Sequence, residues 1–355
     1  MVKRLRIFHR WLSIAMLGFW FVQAVTGALL VFSWEMDDAA ISARHVPTDI
    51  AAIDRRLARL RADNPGAEIP AFRATAGAPD RYDIDMLKAP GEPYTMTRID
   101  GAGNVLRTRT GDALMERGSI FDLAFDVHET LLAGNLGSWV IGISGILLLT
   151  NLLLGLKLAW PKAGRWRRAL RPAPTNSSVA RIHGWHRAIG LWGVFPAIVS
   201  VACGTALMFV VGLSALLGVE ERVPVAPALT GQSIPMPVAV ARATSLFPGA
   251  TLARVQFPTP EVPYYIVALR QEGEAVRVYG STTVAVAAAN GKVVDVVDPF
   301  QMSGAERAID LLYPIHTGEI GGTAGRLLTL FVGLWLATMI VLGSTLWIRR
   351  RRARK

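Results

Sequence analysis

The sequence predicts an α-helical membrane protein. Four transmembrane helices arise from a parallel internal duplication, and two small α+β domains lie on one side of the membrane. Three observations carry this reading: four long apolar runs, a sharp segregation of charge, and histidines and glycines that recur at matched spacings.

Of the 355 residues, 52% are hydrophobic and the mean hydropathy is +0.35, more apolar than a soluble chain of this length. Apolar runs cover about residues 11–34, 136–160, 188–219 and 327–348. Each is long enough for a hydrocarbon core of roughly 30 Å, which takes about 20 residues. Pro196 is placed to kink the third. Trp11, Trp34, Trp139, Trp160, Trp192 and Trp347 lie near run ends, as in an interfacial belt. The first run ends in Phe32-Ser33-Trp34-Glu35, without a small-x-small cleavage site, and reads as a retained helix.

Charge sets the orientation. Lys3, Arg4, Arg6 and Arg10 precede the first run. Lys157, Lys162, Arg165, Arg167, Arg168, Arg171, Arg181 and Arg187 lie in and around the loop between the second and third. Arg349 to Arg352, Arg354 and Lys355 follow the fourth. No acidic residue lies among these positive charges. By the positive-inside rule both termini and the middle loop are cytoplasmic. The net charge of +11 is thus a topology signal, and no nucleic-acid partner is expected.

The expected order is a cytoplasmic end and first helix (1–34), an outer domain (35–126), a second helix (127–160) and a basic loop (161–181). A third helix (182–217), a second outer domain (218–315), a fourth helix (316–348) and a basic tail (349–355) follow. In the first outer domain Ile50, Ile53, Leu57 and Leu60 recur at helical spacing, ahead of Asn64-Pro65-Gly66. Strands are expected at 81–87, 94–99 and 105–110. The second repeats the order, with a helix at 238–247 and strands at 252–257, 264–270, 276–279, 282–287 and 292–297. Asn290-Gly291 marks a turn before the last of these.

The membrane segments repeat more closely. His9 precedes Gly27 by the same interval as His186 precedes Gly204. Gly134, Gly137, Gly145 and Gly155 follow His128 at the offsets at which Gly322, Gly325, Gly333 and Gly343 follow His316. Each half is therefore helix, domain, helix. Both halves start on the same side, so the repeat is parallel.

Topology places His9 and His186 at the inner face, and His128 and His316 at the outer. Ionisable groups inside spans are costly and functional. A bis-histidine haem takes one imidazole from each side of the ring, between apolar walls. Gly18, Gly27, Gly137 and Gly325 leave room for such a flat group. The competing reading is four interfacial histidines bonded to headgroups or backbone. Zinc is disfavoured: the chain has one cysteine, and His183 and His186 are the only close pair. His183 is an alternative ligand, a propionate or quinone contact, or a surface residue. Arg10, Arg187 and Arg326 are candidates for propionates, against simple snorkelling. Glu129 and Glu319 are candidates to orient an outer ligand, and His45 reads as surface. Cys203, at the repeat position of Thr26, reads as packing. No P-loop, nucleotide fingerprint or H-E-x-x-H motif is present.

Phe8-His9-Arg10-Trp11, Thr26-Gly27, Asp126-Val127-His128-Glu129, Gly184-Trp185-His186-Arg187 and Pro314-Ile315-His316-Thr317-Gly318, with Gly343 and Trp347, resemble the PepSY-associated transmembrane family. That family includes PiuB-like and FoxB-like inner-membrane proteins of bacterial iron uptake. The resemblance covers nearly the whole chain, and the two outer segments resemble PepSY domains. It implies a haem-dependent ferric-siderophore reductase of the bacterial inner membrane with periplasmic domains. It implies two haem b per chain, His9 with His186 as axial ligands of an inner haem and His128 with His316 of an outer one. The implied partners are a ferric siderophore, periplasmic siderophore-handling proteins, the lipid bilayer, and a cytoplasmic or membrane electron donor (a reduced flavin or NAD(P)H system, or quinol). The alternatives are a PepSY-type membrane-anchored regulatory or binding module and a siderophore permease without redox activity.

Overall fold

The computed structural model describes all residues except 76–78, 88–94, 111–119, 173, 221, 230, 276–279 and 354–355. The strand expected at 276–279 therefore lies outside the described residues. The chain forms two compact units. One is helical and comprises Met1–Val31, Ala124–Leu213 and Leu312–Lys355; the other is built on a sheet and comprises Phe32–Leu123 and Ser214–Leu311.

In the helical unit, α1 (Val2–Ala15) and α2 (Leu17–Leu30) replace the single first helix expected from the apolar run. They meet at Met16 with a bend of 66°. Gly18 lies two residues past the break, in the first turn of α2. The break falls where a helix carrying Lys3, Arg4, Arg6 and Arg10 gives way to one without a charge. Ser13 Oγ also donates to the His9 carbonyl at 2.7 Å, a back-bond one turn long that favours bending.

A short α5 (Ile120–Thr130) precedes α6 (Gly134–Ala159). The five-residue α7 (Trp166–Leu170) leads to α8 (Ser178–Met208), then α9 (Val210–Leu216). Pro196 lies inside α8 without ending it. After the sheet unit, which ends in α11 (Gly304–Asp310), the chain returns as α12 (Leu312–Thr317) and α13 (Gly322–Arg352). Helices α6, α8 and the stretch Glu319–Arg352 are long and apolar enough to cross a membrane; α1–α2 makes a fourth if the bent pair counts as one span. Helix α6 packs on α8, α8 on α13, and α13 on α2.

In the sheet unit the strands of the two outer segments join one sheet. Its eight antiparallel strands run in the order β4-β3-β2-β1-β5-β6-β7-β8. The first four are β1 (Ala71–Ala74), β2 (Arg81–Met86), β3 (Thr95–Asp100) and β4 (Val105–Thr110). The second segment supplies β5 (Thr251–Gln256), β6 (Tyr264–Arg270), β7 (Thr282–Ala287) and β8 (Val293–Val297). At the seam Phe72 faces Val255 and Arg73 faces Arg254. Pairing β1 with β5 removes the open edge that each four-stranded half would otherwise present.

Alternation along β2 explains the two faces. Tyr82, Ile84 and Met86 join a core with Ile53 and Leu57 of α4 (Ile50–Asp63) and Ala239 and Ala243 of α10 (Met236–Leu246). Arg81, Asp83 and Asp85 point the other way and are nevertheless buried. There Asp83 pairs with Arg98 of β3 and Asp85 with Arg73 of β1, and α3 (Ser33–Ala39) supplies acidic partners for the arginines. Arg81 pairs with Asp38 at 2.5 Å. Asp37 takes Arg98, Arg107 and Arg109 at 2.7, 2.6 and 2.8 Å. Burial alone would raise the Asp37 carboxyl, but the three guanidiniums outweigh it and lower it to about 2.

Candidate functional site

The helical unit draws its histidines into pairs. Toward one end, the His128 and His316 rings have centroids 6.2 Å apart and planes inclined by 24°. Centroid separations of about 4.5–7 Å are ordinary for paired aromatic rings. Two imidazoles that shared a metal through Nε2, at about 2.0 Å each, would stand at a similar separation of roughly 6 Å. Toward the other, basic end, His9 and His186 lie within electrostatic reach of each other. Along α8, residue 186 of the basic-end pair and residue 204, which faces the other pair, are about 27 Å apart at helical rise.

Each ring rests on a glycine of a different helix. A Cβ on Gly27 would lie 2.8 Å from His128 Cε1, and one on Gly204 2.5 Å from His316 Cε1. A Cβ on Gly155 would lie 3.2 Å from His9 Cε1, and one on Gly343 3.4 Å from His186 Cε1. Removing the methyl group is what lets the rings approach the helix backbone. The remaining matched glycines also meet matched neighbours. Gly134 and Gly322 have φ of 53° and 55°, a region costly for other residues. Gly137 and Gly325 abut the carbonyls of Thr130 and Gly318. Gly145 packs on Thr205, and Gly333 on Ala28. Gly137 and Gly325 thus serve chain packing, not the open space expected of them, while Gly18 faces nothing within 4 Å.

Hydrogen bonds fix which ring nitrogen is free. His9 Nδ1 donates to the Asn151 carbonyl at 3.2 Å. His316 Nδ1 donates to the Ser200 carbonyl at 2.9 Å. A carbonyl only accepts, so Nδ1 carries the proton and Nε2 keeps its lone pair. His128 Nδ1 meets Thr26 Oγ1 at 3.1 Å. That hydroxyl donates to the Val22 carbonyl at 2.8 Å, so it accepts from the imidazole. Among the described residues, buried His186 Nδ1 has no hydrogen-bond partner. The orienting groups are therefore a hydroxyl and two carbonyls. Glu129 and Glu319, expected in that role, are not the Nδ1 partners.

The arginines expected at propionates have other contacts. Arg187 Nε donates to the carbonyl of Ala159, the last residue of α6, at 3.0 Å. Buried Arg326 donates from Nε to the Val31 carbonyl at the end of α2, at 3.2 Å, and again from its terminal nitrogen. Both cap the negative end of a helix dipole. Arg10 lies over the Trp11 ring, 5.5 Å from its centroid. His183 is within electrostatic reach of His186 as well as of Arg350, Arg6 and Arg187. In the sheet unit, His45 Nδ1 donates to the Pro79 carbonyl at 2.9 Å.

Asn151, Ser200 and Gln23 were not singled out by sequence. Asn151 Nδ2 donates to Ser13 Oγ at 3.0 Å. Gln23 Nε2 donates to the Val127 carbonyl at 3.2 Å, and Ser200 Oγ to the His316 carbonyl at 3.4 Å. Gln23 and Ser200 each stand four residues before Gly27 and Gly204, a signal legible in the repeat. Cys203, at the place of Thr26, is a free thiol. Among the described residues no three of His, Cys, Asp and Glu gather as a metal-ion cage.

Fold and site define a helical membrane protein with paired histidines among its spanning helices and a PepSY-like sheet unit. The chain belongs to the family described as the PepSY-associated TM region, which matches residues 6–350. No curated protein matches its sequence.

Proposed function

We propose that this chain is a haem-containing transmembrane oxidoreductase of the bacterial inner membrane that reduces ferric siderophore in the periplasm. In this reading the bent pair is one span, giving four. The two halves descend from a duplication, and both termini are cytoplasmic. The observation that carries it is the His128–His316 geometry, with centroids 6.2 Å apart.

The residues fit two haem b groups. His128 and His316 would hold one, and His9 and His186 the other. Thr26, Ser200 and Asn151 hold three of the rings through Nδ1, the arrangement that orients metal-bound imidazoles. Gly27, Gly204, Gly155 and Gly343 keep a methyl group out of each ring's place. The buried Nδ1 of His186, without a hydrogen-bond partner among the described residues, marks the least constrained of the four. Bound haem supplies reversible one-electron storage at its iron, with a potential tuned by ligands and burial. Two sites divide a membrane crossing of roughly 30 Å into shorter intervals. The donor is a reduced flavin, NAD(P)H-linked carrier or quinol on the cytoplasmic side. The acceptor takes one electron per ferric ion, and the resulting iron(II) leaves the siderophore.

Purified protein tests this directly. Its absorption spectrum and pyridine haemochrome are expected to give two haem b per chain. His128→Ala removes one and His9→Ala the other. The dithionite-reduced protein then converts a ferric chelate to iron(II). Absence of a Soret band after expression with ample haem sinks the reading and leaves a PepSY-type binding module.

A further inference from the structure

The helical unit has three carboxylates, Asp126, Glu129 and Glu319. None lies in the segments that form its basic end. Guanidiniums there have no protein counter-ion of opposite formal charge nearby in sequence. Five of the residues that follow α6 take this to an extreme: Gly164, Arg165, Arg167, Arg168 and Arg171 line an open cavity of about 510 Å³. All four arginines are exposed. Among the described residues, no hydrogen bond or ion pair engages any of their side chains.

The walls of this cavity are held in place. The Trp160 and Trp166 rings meet edge to face with centroids 5.0 Å apart. Ala169 on α7 is buried. Pro172 packs closely against Gly184 of α8, where a Cβ would come within 2.9 Å. Four like charges are thus kept around one opening, at a cost in mutual repulsion that an anion relieves. Guanidinium matches a phosphate with two parallel hydrogen bonds.

The position of the cavity selects the anion. Helix α6 ends at Ala159, and the lining begins five residues later. Trp160 and Trp166 beside it are 52% and 38% exposed, as indoles at a headgroup layer are. A soluble phosphate has no use for that apolar border. Basic clusters directly beyond a spanning helix recognise anionic lipids. The geometry points to a binding site for the phosphate of an anionic phospholipid headgroup, formed by Arg165, Arg167, Arg168 and Arg171. This site is separate from the histidine pairs and does not depend on the redox reading.

The test uses the full chain in neutral detergent. Phosphatidylglycerol and phosphatidylcholine are added separately, and bound lipid is counted by native mass spectrometry. The wild type is expected to retain phosphatidylglycerol with about tenfold preference or more. The R165Q/R167Q/R168Q/R171Q variant loses the preference. The corresponding Arg→Lys variant keeps the charge and fold, and retains part of it. Equal retention in wild type and the Gln variant overturns the proposal. So does displacement of the lipid by millimolar inorganic phosphate, which would make the site one for a soluble anion. If the Gln variant does not fold, the Lys variant and phosphate competition decide.

Discussion

Asn151 on α6 holds α1 at two points. Its backbone carbonyl accepts from His9 Nδ1 at 3.2 Å, and its amide donates to Ser13 Oγ at 3.0 Å. Its own Oδ1 is buried without a hydrogen-bond partner among the described residues. One residue thus sets the tautomer of a histidine and tethers the helix that bears it. The two functions separate by mutation, because only one uses the side chain.

Asn151→Leu removes the Ser13 contact and the unpartnered oxygen but keeps the carbonyl. A stability change within about 1 kcal/mol is expected, since interhelical hydrogen bonds in membranes average roughly 0.6 kcal/mol. A double-mutant cycle with Ser13→Ala, followed by denaturation in detergent, isolates that coupling. Loss of the His9 site in Asn151→Leu would contradict the assignment to the backbone carbonyl.

The glycine cradles differ in tightness, which gives a graded series. Gly204→Ala and Gly27→Ala place a methyl 2.5 and 2.8 Å from a histidine ring, against 3.4 Å for Gly343→Ala. The first two are expected to cost about 1–3 kcal/mol by overpacking and to displace His316 and His128. Gly343→Ala is expected to be nearly neutral. Thermal unfolding of the purified variants checks the order.

Asp37 makes the sheet unit acid-sensitive. Its carboxyl is lowered from 3.8 to about 2 in the folded chain. A depressed carboxyl contributes stability above its unfolded value, and that contribution is lost as pH falls through the folded one. The expected loss is about 2 kcal/mol between roughly pH 5 and pH 2. In Asp37→Asn this component is absent at every pH. Leaving Arg98, Arg107 and Arg109 without it costs roughly 3 kcal/mol near neutrality. Denaturant titrations of both proteins across this range measure the difference.

Phe72 is wholly buried at the seam, opposite Val255. Phe72→Ala is expected to cost about 3–5 kcal/mol. Because the strand joins both halves, hydrogen exchange should quicken in β6 as well as in β2. Faster exchange confined to the first four strands would mean that the halves fold independently.

Much of this architecture was legible. The Ile53–Leu57 spacing marks a helix with one buried face. Arg81 to Met86 alternates as a strand does. The glycine offsets after His128 and His316 anticipate matched neighbours. The seam was not legible, because β1 is the four residues Ala-Phe-Arg-Ala, too short and too poor in β-branched side chains to stand out. Without it the sheet reads as two. The bend at Met16 was hidden for a similar reason: no Pro marks it, and Gly18 beside it is one of many glycines in these apolar runs. The tasks of Arg187 and Arg326 were also out of reach. A helix-end carbonyl and a propionate both attract a guanidinium, and only the fold decides which is near.

The β1–β5 pairing joins residues about 180 positions apart in the chain. At roughly 5–20 residues per second of synthesis, the first half waits many seconds for its partner strand. In that interval β1 is a bare edge able to recruit any other extended segment. Two spanning helices must be made before the correct one arrives. Biogenesis of this protein therefore has a vulnerable period whose length is set by translation and insertion, not by the stability of the finished fold.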